Sequence, residues 1–304
     1  MRQPHCLPCA AERGAETAGR YQGLPACICL AVSMELAAWP SFTDSLANIR
    51  QTSELAGYEE LYGEKDDGTR EREIEAAFAY NRQIAEEQKR KTFEYRGDQA
   101  TDAEYEALLS DGDGGTMGYL SVPSIGIDLP IGHGTRSGDL EYRCGHMYGT
   151  SLPVGGKDTH AVIAAHTGLP AARLFSDLTE LREHDEFFIR IAGETHAYRV
   201  ETIRVILPEE EPAYLGIEAG RDLVTLYTCT PYGINDHRLL VTGGRVLPDP
   251  VRKEDGEGPV RIVMKSRMAA VRAAVLAFSG PDILLLGLIR AGKRRKRGRA
   301  AGFQ

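Results

Sequence analysis

Residues 117 to 250 predict a mainly β domain, and a helical segment precedes it. Three observations carry that expectation. After "SDGDGGTMG" the chain turns to short alternating apolar runs punctuated by Gly and Pro, and no helical period returns until about residue 265. The runs "FFIRIA" and "HAYRVETIRVI", joined across Gly193 and Glu194, both alternate, which is the mark of a hairpin. From 42 to 110, by contrast, Ile74, Ala77, Phe78 and Ala85 recur at helical spacing.

The elements follow in order. Residues 1–41 hold "LPACICLAVSMELAAW", apolar but short and interrupted by Glu35, and read as a leader or weak anchor. Residues 42–116 form a helical approach with "GEKDDGTRERE" as a solvated break, and "TDAE" at 101–104 is a capping box starting a short helix over "YEALL". The strands of 117–250 are "GYLSVPSIGIDLPI", "THAVIAAH", "EFFIRIA", "HAYRVETIRVIL", "DLVTLYTC" and "RLLVTGGRV", with "LFSDLTELREHD" as a short helix or turn. So many short strands at close spacing point to a closed barrel or a sandwich, which hides sheet edges.

Residues 251–304 combine a linker with an apolar stretch that Arg272 and residues 279 to 282 interrupt, and then a basic cluster. The pattern predicts a weak C-terminal membrane anchor whose tail stays cytoplasmic, with an amphipathic or disordered tail as the competing reading. Everything before the anchor would then lie outside the membrane.

The chain has 304 residues, 42% of them hydrophobic, enough for a sizeable core and too many for disorder throughout. Its net charge is −8, yet residues 290–304 carry seven Lys/Arg and no acid, leaving 29 basic against 44 acidic residues elsewhere. That balance argues against a nucleic-acid partner.

Four of the six cysteines, Cys6, Cys9, Cys27 and Cys29, crowd the first 29 residues, and Cys144 and Cys229 stand alone, so a disulfide scaffold is not expected. The first group matches a zinc-ribbon spacing only in its first half, and two of its thiols lie in an apolar run. A metallohydrolase built on His133, His146 and Cys144 is a further alternative, but it lacks a His-Glu-x-x-His or any tight ligand pair. No metal or cofactor is expected.

In "TLYTCTPYGINDHRLL" Cys229 ends an apolar, β-branched run and enters a loop, where a ligand can reach it. Such a cysteine is either a small buried hydrophobe or a nucleophile, and a nucleophile needs a proton partner because the thiolate is the reactive form. His166 terminates "AVIAAH" in an equivalent rim position and is the expected partner. Arg238 opens the next strand and would return alongside Cys229, where its guanidinium could stabilise an oxyanion. Its neighbour His237 must face the other way. The remaining histidines have ordinary structural or solvated roles, and Cys144 is expected to be partly buried and inert.

These residues resemble the sortase family. "TLYTCTPYGINDHRLLVTG" is similar to its Thr-Leu-x-Thr-Cys signature with the following arginine, and "AAHTGLP" to its histidine segment. "GYLSVPSIGIDLPIGHGT" and "GHMYGTSLPVGGKDTHAVIAAHTGLPAARLFSDL" resemble the pilus-assembling class C branch. The resemblance implies a closed eight-stranded β-barrel and a cysteine transpeptidase acting on Leu-Pro-x-Thr-Gly-like signals of pilin or surface proteins. It assigns Cys229 as nucleophile, His166 as acid and base, and Arg238 as the group holding signal and oxyanion, with Thr228 touching substrate and Thr167, where the branch often has arginine, altering substrate contacts. The acceptor would be a pilin lysine or, as the alternative, a peptidoglycan amine. The branch usually carries an N-terminal lid with an Asp-Pro-aromatic motif, but residues 80–116 contain no proline. Phe93, Tyr95 and Asp98 in "TFEYRGD" could form a looser cover, and a plain polar loop is the competing reading.

Overall fold

Eight strands close into one barrel in the order β1-β2-β3-β4-β7-β8-β6-β5. The computed structural model describes residues 23–95, 101–110, 115–169 and 172–247. The strands are β1 (Thr116–Val122), β2 (Ile127–His133), β3 (Cys144–His146), β4 (Thr159–Ala164), β5 (Glu186–Ile191), β6 (Glu194–Ile206), β7 (Asp222–Thr230) and β8 (His237–Arg245). The expected barrel is therefore present, as are the helices before it.

Two refinements concern the strands. "GYLSVPSIGIDLPI" is two strands rather than one, because Pro123 opens a 3₁₀ turn that left-handed Gly126 ends. The β5–β6 hairpin turns on Ala192 and Gly193, both at positive φ, one residue earlier than expected. Two positive-φ central residues give the turn whose twist suits a two-residue hairpin.

Strands β2 and β3 pair parallel, as do β4 and β7, and all other neighbours are antiparallel. Alternation sorts each strand into two faces. Ala161 and Ile163 of β4, Val224 and Leu226 of β7, and Leu239 and Val241 of β8 join the main core with Phe187 and Tyr198. Burying each large apolar side chain there contributes about 1.5–3 kcal/mol. Val162 and Leu240 point the other way, into a second cluster with Phe93, Met147, Ile206 and Leu215. The barrel therefore has a covered patch on its outward face.

Two compact units divide the chain, one of Met1–Phe42 with Ala269–Gln304 and the other Thr43–Met268. In the first, the described part is the opening of helix α1 (Gly23–Glu64). No helix among the described residues is long and apolar enough to cross a membrane. The expected C-terminal anchor lies outside the described residues.

In the second unit, α1 docks through Tyr58, whose hydroxyl accepts from Ala192 N at 2.7 Å and donates to Met117 O at 3.2 Å. Helix α2 (Asp67–Arg90) docks through Asn81, which exchanges two hydrogen bonds with the Leu152 backbone. The solvated break is shorter than its charge suggests, since Asp66 caps α2 by accepting from Thr69 N. Helix α3 (Ala103–Ala107) is capped by Asp102, which accepts from Tyr105 N at 2.7 Å; Thr101 binds Glu106 instead of capping. Helix α4 (Glu211–Tyr214), the last among the described residues, lies between β6 and β7.

Candidate active site

Strand register brings the three expected residues together. Cys229 of β7 lies directly opposite Arg238 of β8, and directly opposite antiparallel residues share a face. In the parallel pair, Ala164 of β4 faces Tyr227 of β7, and His166 and Cys229 each lie two residues beyond it. Alternation thus puts His166, Cys229 and Arg238 on the outward face, continuing the line of Val162 and Leu240 rather than opening into the barrel.

All three line one cavity of about 620 Å³, with Tyr95, Thr135, Met147, Glu211 and Tyr227 among the other walls. Neither the Cys229 thiol, half-buried, nor the His166 ring has a hydrogen-bond partner among the described residues. Both are free to engage a ligand or each other.

The loops around them are tied down. The Thr228 hydroxyl donates to Ala165 O at 2.7 Å, and Ala165 N donates to Tyr227 O at 3.1 Å, locking the end of β4 to β7. Beyond His166, Gly168 has φ of +75°, and a Cβ there would lie 2.9 Å from the Tyr232 ring. Glycine lets the turn after the histidine close on the loop after the cysteine.

Arg238 is held by three bonds: Nε donates to the Tyr227 hydroxyl at 2.7 Å, and Nη1 to the carbonyls of Asn235 and His237 at 3.1 Å each. Partial burial opposes its charge, but Tyr227, Cys229 and Glu211 more than offset this and raise it above the usual guanidinium value. Burial first, and then the Glu211 carboxylate, push the Tyr227 phenol up, so it stays protonated.

The substrate-contact expectations fare differently. Thr228 lines the cavity, but it is 2% exposed and its hydroxyl donates to Ala165 O. Thr167 does not line the cavity. Of the cover residues, Tyr95 lines the cavity with its hydroxyl 3.3 Å from Thr135 Oγ1, while Phe93 is buried in the cluster beneath. Asp98 lies outside the described residues.

His237 and His133 are engaged elsewhere. His237 pairs with Asp236 at the surface. Both His133 nitrogens face backbone carbonyls, of Gly115 and Leu108, and the Cys144 thiol donates to Pro130 O. No group of three or more His, Cys, Asp or Glu among the described residues could hold a metal ion. The alternative site on His133, His146 and Cys144 is therefore not assembled.

Over residues 120–246 the chain matches the sortase domain family. Sortase C1 of Streptococcus agalactiae superposes with a TM-score of 0.59 at 37% identity, covering 65% of this chain and 100% of that one. The chain belongs to the sortase family. Sortase C of Streptococcus pneumoniae is also similar, with a TM-score of 0.57 and 35% identity over 64% of this sortase and 96% of that chain. Sortase A of Bacillus anthracis is 26% identical over 130 residues, 43% of this chain. The match spans 60% of that relative's length.

Two residues of this sortase's site escape a reading by motif. Tyr227 occupies the variable position of the Thr-Leu-x-Thr-Cys signature, but its two-residue spacing from Cys229 is a legible signal that both share a face. Glu211 sits in the run "PEEEPAY", where nothing local separates it from its acidic neighbours.

Proposed function

We propose that this sortase is a class C transpeptidase that cleaves a Leu-Pro-x-Thr-Gly-like sorting signal and transfers it to a pilin lysine. The observation that carries the reading is the convergence of Cys229, His166 and Arg238, distant in sequence, on one outward cavity with thiol and imidazole unspent. The resemblance of the structure to two class C enzymes supports the branch.

In the proposed sequence the Cys229 thiolate attacks the threonine carbonyl carbon, and the carbonyl electrons move to oxygen beside Arg238. The intermediate collapses by breaking the C–N bond to glycine, and protonated His166 gives the leaving amine its proton. A thioester on Cys229 remains. His166, now neutral, takes a proton as the acceptor amine attacks that thioester. An amide forms, and Cys229 leaves as thiolate. Tyr95 covers part of the cavity in place of a proline-based lid. The catalytic domain acts outside the membrane, with the basic C-terminal tail on the cytoplasmic side, a placement that rests on the sequence of residues 251–304.

A peptidoglycan amine is the second acceptor to weigh, as the alternative that the family resemblance leaves open. Incubating the full chain with a sorting-signal peptide and, separately, a pilin or a cell-wall amine, with mass spectrometry of the new amide, decides between them. Linkage to a pilin lysine is the expected product. Linkage to the cell-wall amine alone would replace the class C role, and product from Cys229→Ala would end the assignment.

A further inference from the structure

Glu211 is an acid in an unusual place. It opens α4, is 5% exposed, and still forms part of the cavity wall. Its Oε1 accepts from the Tyr227 hydroxyl at 2.6 Å and lies 3.7 Å from Arg238 Nε. The same hydroxyl receives Arg238 Nε–H at 2.7 Å. The direction of this relay follows from donor chemistry. A guanidinium nitrogen can only donate, so the Tyr227 oxygen must accept from Arg238 and turn its single proton to Glu211.

The relay has a geometric consequence. A guanidinium is planar, so fixing Nε through Tyr227 and Nη1 through the Asn235 and His237 carbonyls fixes the third nitrogen as well. Nη2 has no hydrogen-bond partner among the described residues and remains the donor that Arg238 offers to a ligand. Without the relay only the two bonds at Nη1 remain, and a guanidinium held at one nitrogen can pivot about it. Orientation set before a substrate arrives costs nothing at the moment of reaction.

We infer that Glu211 and Tyr227 are positioning residues: acting through Arg238, they hold its free guanidinium edge in one orientation beside Cys229 for the developing oxyanion. The oxyanion part rests on the transpeptidase reading above; the positioning part does not. Neither residue contacts substrate in this scheme.

The test uses the full chain and two readouts. In ¹⁵N-labelled protein the Arg238 Nε–H resonance, assigned as the one lost in Arg238→Lys, is expected to be shifted and slow to exchange with water. Tyr227→Phe and Glu211→Gln should return it toward the position of a free arginine, and an unchanged resonance overturns the proposal. In transpeptidation, both variants should lower kcat between about 10- and 100-fold with KM nearly unchanged. The same substitutions made in Arg238→Lys should cost little more. A full loss in that background, or a released resonance with kcat unchanged, overturns the catalytic part. Should the wild-type chain transfer no signal peptide while the resonance behaves as expected, the transpeptidase reading falls and the positioning of Arg238 stands.

Discussion

Cys144 and Cys229 have the same kinds of neighbour and opposite fates. Cys144 sits in "RCGH", with Arg143 before it and His146 two residues on, whereas Cys229 must find His166 and Arg238 through strand pairing. Yet Cys144 is fully buried, its thiol donates to Pro130 O at 3.2 Å, and burial pushes that thiol far above the usual range. His146 is spent as well: Nε2 faces Ser151 O and Nδ1 faces the Tyr105 hydroxyl, each at 2.8 Å. Burial drives its pKa down to about 3. The comparison teaches that composition does not make a nucleophilic site. Access and unspent hydrogen-bonding capacity do.

The sharpest way to break the comparison is to remove each thiol. Cys229→Ala should lower transpeptidation by at least ~10³-fold, because no other group can carry the acyl intermediate. Cys144→Ala should leave the rate within about threefold and reduce unfolding free energy by roughly 1–2 kcal/mol through the small cavity it opens. Rate assays with urea melts check both, and the reverse pattern would exchange the roles of the two cysteines.

A second effect belongs to the buried side of the comparison. His146 and His160 are both lowered by burial, from a usual 6.5, so they are neutral in the fold while the unfolded chain gains protons as pH drops. Their stabilising contribution is complete above about pH 6.5 and is lost as pH falls below it, down to about pH 3 for His146, by up to ~1.4 kcal/mol per unit for each ring. The urea midpoint should therefore fall between pH 7 and pH 5. A midpoint that is flat over that range would contradict the buried, neutral assignment.

The smallest expected effect tests how the Cys229 site is held. Thr228→Val removes the donor to Ala165 O and should cost about 1–2 kcal/mol of stability, the penalty for a buried carbonyl left without its partner. Signal-peptide KM should change less than twofold if the hydroxyl serves only the scaffold. A large KM change with unaltered melting would return Thr228 to the substrate.

Much of this site was legible before any coordinates. Alternation marked the strands, the ends of "AVIAAH" and "TLYTC" marked two rim positions, and Arg238 followed within one loop of Cys229. The short strand β3 does not stand out in the sequence, because three residues carry too little periodicity. The cap of α3 moved from Thr101 to Asp102, since either oxygen can bond a helix N–H and only the local backbone chooses.

By itself the sequence determined the β character of residues 117–250, the helical approach, and the reactive residue types with their order. Those depend on side-chain period and chemistry, which are local. Tertiary structure alone decided that the parallel β4–β7 pair puts His166 level with Cys229, and that the site lies on the outward face above the cluster around Phe93 and Met147. It also decided that Glu211 reaches Arg238 through Tyr227. Strand partners and burial arise from contacts between segments far apart in the chain, and no local pattern encodes which face a distant strand will cover.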